Sequence, residues 1–402
     1  MSTTKDGIGN AIAQTQLGKL GGFGLFLFAT VMLFVNEGDY KKGRDAIMEA
    51  ESVAVHVEDV GVADAEREGL LIHGTAQAQT DEWLNDPLFE VSVNAVKLSR
   101  NVRYYQWEEE EETEEYTDSD GETHTTTTYS YYKTWTSLPI DSDKFYYTRG
   151  HENHVLLDIK SMEKYAERVQ WGAYNLPLFL KSAIDSTLSV TNLALSDALT
   201  SEWKGKLAQS VRRQYQREPE NDYLTVGDRV IYMGANPDAP AIGDIYLFFS
   251  YVPPGLDLSL IAQVTANTFT KYTAKNGRQF YSVHNGVMGL SEMFTKEFAS
   301  NAANAWAMRF LWFLCIVVAL RCMFEWLRKF CARIPVLGSV VHVGIKMICF
   351  IMGLSWSILV IAIAWLFYRP VVSLILLGFV LLFVWRLRQR GRKRELKAGA
   401  AI

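Results

Sequence analysis

The longest uncharged apolar run of this chain most constrains what the chain can fold into. Residues 347–368 contain 22 positions without a charged side chain. As an α-helix this run covers about 33 Å, which exceeds the ~30 Å hydrocarbon core of a bilayer. A segment of this length and composition is typical of a transmembrane helix, so the sequence predicts an integral membrane protein.

Three shorter apolar runs predict further spans. Residues 17–35 carry one lysine, residues 305–320 carry one arginine, and residues 371–385 carry no charge. Each is short enough to be a buried helix or a half-span instead. The first run is followed by NEGDYKK without a small-x-small cleavage pattern, which indicates a retained anchor rather than a signal peptide. We predict four transmembrane helices, at 17–35, 305–321, 347–368 and 371–386.

The segments between these runs differ in charge. Residues 36–304 carry 42 acidic and 24 basic side chains, whereas all other positions together carry 3 acidic and 16 basic ones. Basic loops stay in the cytoplasm, so residues 1–16, 322–346 and 387–402 are expected there, with both termini. Residues 36–304 are then expected on the exoplasmic, lumenal or periplasmic side. An odd number of spans would place one basic end on the wrong side.

Residues 36–304 are enough for a large folded domain, and their pattern favours β structure. Short apolar or alternating runs recur, such as DIYLFFSYV at 244–252. The segment has no cysteine, which excludes a disulfide-built module. We predict an α+β, strand-rich domain inserted between helices one and two.

Two stretches of this domain have helical periodicity instead. Residues 196–216 are expected to form a helix capped by Ser196 or Asp197. Residues 291–306 are expected to form another, with Ser291 as the candidate cap. This last helix is predicted to continue into the second span.

The stretch YYQWEEEEETEEYTDSDGETHTTTTYSYYKTW at 104–135 predicts a long β-hairpin. A disordered acidic block is poor in aromatic residues, but here they flank the glutamates on both sides. DSDG at 118–121 is a turn signal because glycine tolerates positive φ. The arms are expected at 100–117 and 122–136, with the glutamates on a solvated edge that discourages edge-to-edge pairing. A cation site is the alternative interpretation.

Four basic or titratable side chains are expected near membrane depth: Arg309, His342, Lys346 and Arg369. Such groups are costly in lipid and indicate a polar cavity or a lipid phosphate site. The alternative is that they extend to the headgroups. His342 and Lys346 are four residues apart and share one helix face.

Basic residues on the cytoplasmic side are expected to contact anionic lipid, and no nucleic acid partner is needed to explain them. MFEWLRKFCARI at 323–334 is typical of an amphipathic helix lying on the membrane surface. The predicted lipid contacts are Arg328, Lys329, Arg333, Arg386, Arg388, Arg390, Arg392, Lys393 and Arg394.

Two short motifs remain. Gly18 and Gly22 form a GxxxG, which predicts close helix packing in lipid. His151 and His154, in GHENH, have a spacing that allows a shared metal if a third ligand comes from elsewhere, but the segment is expected to be a loop without HExxH. No Ser, His and carboxylate arrangement or cofactor motif stands out, so no catalytic residue, metal or cofactor is predicted.

Several short sequence motifs resemble those of one known family. In order they are NEG (36–38), AVKLSRNVRYYQW (95–107), EYT (115–117), DG (120–121), YSY (129–131), W (135), GHxN (150–153), GD (243–244), FSY (249–251) and WLFYRP (365–370). The chain resembles the transmembrane protein 43 family, also called LUMA, over nearly its whole length. The resemblance implies a four-span protein with one large lumenal or exoplasmic domain. The longer glutamate run and the TTTT arm depart from the animal pattern.

The resemblance also implies a function. Animal members are proteins of the endoplasmic reticulum and inner nuclear membrane that associate with themselves, with lamins and with emerin, and organise membrane protein complexes. We therefore predict a non-enzymatic membrane scaffold that forms homo-oligomers and contacts other membrane proteins and anionic lipids. A bacterial source would place it in the inner membrane without the nuclear partners. The alternative is a membrane-embedded enzyme or lipid-handling protein that uses His342, Lys346 and Arg309.

Overall fold

The computed structural model describes residues 8–117, 123–219, 221–331, 338–369 and 386, and the side chains of residues 21–112, 126–219, 221–324, 347–369 and 386. Contacts divide the chain into two compact units. The helical unit comprises Met1–Met48, Glu115–Thr125 and Lys296–Ile402, and the strand-rich unit comprises Glu49–Glu114 and Thr126–Thr295.

The described residues form five α-helices: α1 (Ile8–Val53), α2 (Leu178–Ser182), α3 (Asp197–Tyr215), α4 (Leu290–Cys331) and α5 (Gly338–Tyr368). Three segments, Gly21–Val53, Leu290–Phe324 and Met347–Tyr368, are long and apolar enough to cross a membrane. They confirm an integral membrane protein and include parts of the first three predicted spans. The predicted span at 371–386 lies outside the described residues, apart from Arg386.

Helices α1 and α4 both extend beyond the predicted spans. The first apolar run ends at Val35, but α1 continues to Val53 because residues 36–53 contain no proline and several good helix formers. Helix α4 begins at Leu290, so Ser291 lies in the first turn, and its prediction as the N-cap was wrong. From there α4 runs unbroken to Cys331, which confirms the predicted continuation into the second apolar run.

The three long helices share a small apolar core. Ala29 and Leu33 of α1, Ile316 and Leu320 of α4, and Cys349 and Val360 of α5 are buried together. A methyl group added at Gly22 of α1 would lie 2.9 Å from Cys322 Cβ and 3.1 Å from the Ala319 carbonyl oxygen. The close approach of α1 and α4 therefore requires glycine at this position.

The described strands are β1 (Val55–His56), β2 (Leu71–Gln79), β3 (Trp83–Asn85), β4 (Ser92–Asn94), β5 (Lys97–Thr117), β6 (Thr123–Thr136), β7 (Met162–Tyr165), β8 (Gln170–Trp171), β9 (Tyr174–Asn175), β10 (Leu188–Ser189), β11 (Leu224–Val226), β12 (Val230–Met233), β13 (Ile245–Val252), β14 (Leu256–Thr265), β15 (Thr268–Thr270), β16 (Tyr272–Thr273), β17 (Gln279–Phe280) and β18 (Ser282–Asn285). They confirm the strand-rich domain predicted from the alternating runs.

The strands form two seven-stranded sheets and two short ladders. One sheet has the order β15-β14-β2-β8-β9, with β1 parallel to β2 and β18 antiparallel to β14. The other has the order β11-β12-β13-β5-β6, with β10 on β13 and β7 on β5. Strands β3 and β4 pair, as do β16 and β17. The register joins distant residues, for example Leu260 with Gly74 and Leu247 with Val102.

Side chains from both sheets fill one hydrophobic core. Its largest fully buried members are Trp171, Tyr104, Tyr174, Phe89 and Phe249. Burial of each such side chain stabilises the fold by about 1.5–3 kcal/mol.

Helix α3 packs against this core as its sequence predicts. The Ser196 side chain accepts a hydrogen bond from the Leu199 amide at 3.2 Å, which confirms Ser196 as the N-cap. Trp203, Leu207 and Val211 lie one helical turn apart and are buried.

The two arms predicted for the acidic stretch are neighbouring strands, β5 and β6, of one sheet, and the predicted turn at 118–121 lies outside the described residues. The glutamates at 108–111 point alternately to opposite faces. Glu109 accepts a hydrogen bond from the Tyr131 hydroxyl at 2.5 Å. On the other face, desolvation and the nearby charges of Glu108 and Glu110 raise the pKa of Tyr132. This alternation disperses the carboxylates, as expected for a solvated edge rather than a cation cage.

Candidate functional site

The three long helices of the helical unit meet just after the apolar run of α1, at the start of the apolar run of α4 and at the end of that of α5. Side-chain amides tie α1 to α4 there: Asn36 Nδ2 donates to the Ala305 carbonyl oxygen at 3.3 Å, and Asn301 Nδ2 donates to the Tyr40 carbonyl oxygen at 3.1 Å. The first residues after the apolar run of α1 thus lie against the start of the apolar run of α4.

A buried ion pair lies at this junction. Arg309 of α4 donates from Nε and Nη2 to the two carboxylate oxygens of Glu37 at 2.6 and 2.7 Å, and both side chains are buried. Trp365 of α5 donates its indole N–H to Glu37 Oε2 at 2.9 Å. Bidentate arginine pairs are the strong form of such a contact, so Glu37 links all three helices.

The end of α5 contacts α1 at a glycine. A methyl group added at Gly38 would lie 2.6 Å from Tyr368 Cζ and 2.7 Å from the Tyr368 hydroxyl oxygen. The Tyr368 ring also packs on Phe34, with the ring centroids 5.3 Å apart. Gly38 therefore allows the tyrosine to lie flush against α1.

Arg369 adds a second guanidinium to the junction. Its Cζ lies 5.1 Å from the ring centroid of Tyr40 and 5.6 Å from that of Trp365. The Arg309 guanidinium lies 5.4 Å from the same Tyr40 ring. Cation–π contacts of this kind hold both guanidinium groups in place.

The charges at the junction do not cancel. Glu37 is shared between Arg309 and Trp365, and no carboxylate of the described residues forms an ion pair with Arg369. Arg369 Nη2 is buried without a hydrogen-bond partner in that part of the chain. One positive charge is therefore left over.

Two of the four residues predicted to form a membrane-depth polar site meet here, and two lie elsewhere. Arg309 and Arg369 both contact the Tyr40 ring. His342 and Lys346 belong to the first turns of α5, and Lys346 is 23 residues before Arg369, about 34 Å along a helix. The side chains of His342 and Lys346 lie outside the described part of the structure.

Glu37 and Trp365 were not predicted from the sequence as site residues, although both belong to the short motifs that carry the family resemblance. A signal was available. A buried arginine near the end of a span needs a counter-ion. Glu37 follows the first apolar run by two residues and could have been proposed for that role.

The other predicted membrane contacts are described only in part. Gly22 lies at the close approach of α1 and α4, and Arg386 is exposed. Outside the described side chains or residues lie Gly18, Arg328, Lys329, Arg333, Arg388, Arg390, Arg392, Lys393 and Arg394.

In the strand-rich unit the two histidines of GHENH have different partners. His151 stacks on Tyr131 with the ring centroids 3.8 Å apart. His154 Nε2 lies 2.7 Å from the Tyr215 hydroxyl, and burial lowers the pKa of His154. The described residues contain no group of three or more His, Cys, Asp or Glu side chains placed to hold a metal ion.

Buried charges of this unit are hydrogen-bonded inside the fold. Arg100 donates to Asp86 Oδ2 at 2.6 Å and to the Lys160 carbonyl oxygen at 3.0 Å. The Tyr232 hydroxyl donates to Asp244 Oδ2 at 2.5 Å, and burial raises the pKa of both groups. These groups hold loops and strands together.

An exposed aromatic surface adjoins the acidic hairpin. Tyr129 and Tyr146 stack with ring centroids 4.2 Å apart, and Tyr147 lies edge-on to Tyr146 at 4.7 Å. Tyr146 and Tyr147 are 57% and 49% exposed. Their amides donate to Glu109 Oε2 and to the Tyr131 hydroxyl, which fixes the loop against the hairpin.

Comparison with known proteins agrees with the resemblance. The family model described as Transmembrane protein 43 matches residues 104–370. The human protein named transmembrane protein 43 (Homo sapiens) is 28% identical over 405 residues, which cover 98% of this chain and 96% of the human protein. The mouse protein (Mus musculus) is 29% identical with the same coverage. The Drosophila melanogaster homologue is 27% identical over 380 residues, or 90% of this chain and 93% of its own. No solved structure matches.

Proposed function

The chain belongs to the transmembrane protein 43 family, and from this premise we propose that it is a non-enzymatic membrane scaffold. Its strand-rich unit binds partner proteins, and its helices anchor the chain and associate with those of other copies. The N- and C-termini lie in the cytoplasm and the strand-rich unit lies on the opposite side, in keeping with the positive-inside rule. The membrane is that of the endoplasmic reticulum or inner nuclear envelope in a eukaryotic cell, or the inner membrane of a bacterium.

The tyrosine surface formed by Tyr129, Tyr146 and Tyr147 is the observation that carries the proposal. Exposed tyrosines that are already ordered lose little conformational entropy on binding, and tyrosine is enriched in protein interfaces. Glu109 and Glu111 place negative charge near Tyr129, which favours a partner that presents basic residues.

The use of the buried charges supports a structural role. Asp86, Arg100 and Asp244 are each committed to hydrogen bonds that hold the fold. These hydrogen bonds account for the burial of the charges without a bound substrate.

The apolar faces of the long helices support self-association in the bilayer. Phe28, Val31 and Phe310 are 56%, 57% and 63% exposed. Lipid tails cover such side chains, and helices of a second copy cover them equally well.

Crosslinking in native membranes tests the scaffold. We expect homo-oligomers and a reproducible set of crosslinked proteins. The double variant Tyr146→Ser with Tyr147→Ser should lose the crosslinked proteins and keep the homo-oligomer. Val62→Ser, which removes another exposed apolar side chain of the same unit, is the matched control. A wild-type protein that gives only monomers and no recurring partner would refute the proposal.

Labelling with a membrane-impermeant maleimide tests the orientation. In a variant without the four native cysteines, a single cysteine replaces Ser201 or Arg386, both of which are exposed. In intact cells or sealed vesicles of known orientation, we expect the reagent to label these two positions from opposite sides. Labelling of both from one side contradicts the proposed topology.

A further inference from the structure

Arg369 is the one charged group at the helix junction that the described contacts do not neutralise. Its Nη2 atom is buried without a partner, and no carboxylate of the described residues pairs with the guanidinium. Arg369 as a residue is only partly buried, but a guanidinium N–H that is shielded from water and has no acceptor is unfavourable. An anion that accepts a hydrogen bond from Nη2 removes that cost.

Glu37 cannot serve as this anion. Arg309 occupies both of its oxygens at 2.6 and 2.7 Å, and the Trp365 indole N–H takes a further position on Oε2 at 2.9 Å. The ion pair is neutral as a whole. The ion pair positions Arg369, because Glu37 fixes the Trp365 ring and the Arg369 guanidinium lies on that ring.

The guanidinium is held before any ligand arrives. It lies against the rings of Tyr40 and Trp365, and the Arg369 amide continues the helix by donating to the Trp365 carbonyl oxygen at 2.7 Å. A group fixed in this way loses little side-chain entropy on binding. The planar fork of arginine donors matches the oxygen geometry of a phosphate group.

The depth of Arg369 identifies the anion. Arg369 directly follows Met347–Tyr368, the segment long and apolar enough to cross a membrane. The aromatic residues around it, Tyr40 and Trp365, belong to the types that gather at the headgroup level of a bilayer. At this level the abundant anion is the phosphodiester of a phospholipid.

We propose that Arg369 binds the phosphodiester of a membrane lipid between the ends of α1 and α5, and that Glu37 and Arg309 act as positioning residues for this site. The inference goes beyond the scaffold function and does not depend on it. It also separates Arg369 from the general attraction of basic residues to anionic lipid, because it requires a defined site at which the first lipid binds.

Native mass spectrometry of the full-length protein tests the site. Protein stripped of lipid in detergent is titrated with phosphatidylglycerol, and the affinity for the first bound lipid is measured. Arg369→Gln is expected to weaken this affinity by about 10- to 100-fold, as for the loss of hydrogen bonds to a charged group. Arg369→Lys should give an intermediate value because it keeps the charge without the fork.

Arg321→Gln is the matched control, because Arg321 is an exposed arginine of α4. We expect it to leave the first binding event unchanged. Equal weakening by Arg321→Gln and Arg369→Gln would mean general electrostatic attraction and would overturn the proposal. So would an unchanged affinity in Arg369→Gln that elutes as a folded, monodisperse protein.

A second arm separates the two sources of phosphate. Inorganic phosphate added to the stripped protein should neither raise the unfolding temperature nor displace the first lipid at concentrations where the lipid binds. If phosphate alone binds and competes with the lipid, the site belongs to a soluble anion and the lipid proposal fails. Trp365→Phe provides a positioning test if Arg369→Gln does not fold. It removes the hydrogen bond to Glu37 and keeps a ring, and it should weaken lipid binding less than Arg369→Lys does.

Discussion

Replacement of Arg100 with glutamine should open the strand-rich unit locally. Arg100 donates to Asp86 Oδ2 at 2.6 Å, and the Asp86 side chain is fully buried. The other Asp86 oxygen keeps its bonds from the Leu88 and Phe89 amides, both at 2.9 Å. The variant therefore leaves a buried carboxylate that has lost its charge partner, which costs about 3–5 kcal/mol.

Hydrogen exchange measures this cost in the full-length protein. Amides of β5 that exchange through opening of the unit should exchange roughly 10²- to 10⁴-fold faster, since each 1.4 kcal/mol is about a factor of ten. Arg103→Gln is the matched control, because Arg103 lies on the same strand with its side chain exposed. We expect that control to change the exchange rates less than about threefold.

A double variant isolates the ion pair from other effects. Asp86→Asn removes the buried negative charge, so Asp86→Asn with Arg100→Gln should be less destabilised than the sum of the two single variants. Additive effects of the two substitutions would falsify the assignment of the cost to the unpaired carboxylate. An Arg100→Gln protein whose β5 exchange matches that of Arg103→Gln would refute the argument altogether.

Three further predictions concern pH and the two close helix contacts. Burial lowers the pKa of His73, so the unfolded chain binds the proton more tightly than the folded one. The unfolding temperature should therefore fall as the pH drops from about 7.5 to 5. This fall should be smaller in His73→Gln. Gly38→Ala should displace Tyr368 and lower the unfolding temperature of the detergent-solubilised protein, whereas Gly24→Ala, in open space, should not. Gly22→Leu should separate α1 from α4, seen as faster exchange of α4 amides; unchanged exchange contradicts the contact.

Local features of the fold could be predicted from the sequence. The uncharged run at 347–368 forms a helix, the two arms of the acidic stretch are neighbouring strands, and Ser196 caps α3. Each depends on residues close together in the chain: the length of an apolar run, alternation along a strand, or a side-chain oxygen near a free amide. The extension of α1 past Val35 was missed because apolarity marks the membrane-crossing part of a helix and not its end.

Only some residues of the helix junction could be predicted from the sequence. Arg309 and Arg369 were identified because ionisable groups at membrane depth are costly, but His342 and Lys346 were grouped with them on the same ground. Sequence spacing alone does not reveal which end of a helix bundle a residue shares with others. In the fold, Arg369 lies beside Tyr40 after the last turn of α5, whereas His342 and Lys346 belong to the first turns of that helix.

The sequence by itself determined the class of protein, the apolar helical runs, the strand-rich character of the segment between the first two runs, and the charge that each segment carries. The tertiary structure alone decided the partners: β2 beside β14, Asp86 on Arg100, and Glu37 on Arg309 across 272 residues of chain. The physical reason is that periodicity, turns and caps are set by neighbours along the chain. The pairing of distant groups instead follows from burying apolar surface and satisfying buried charges throughout each unit at once.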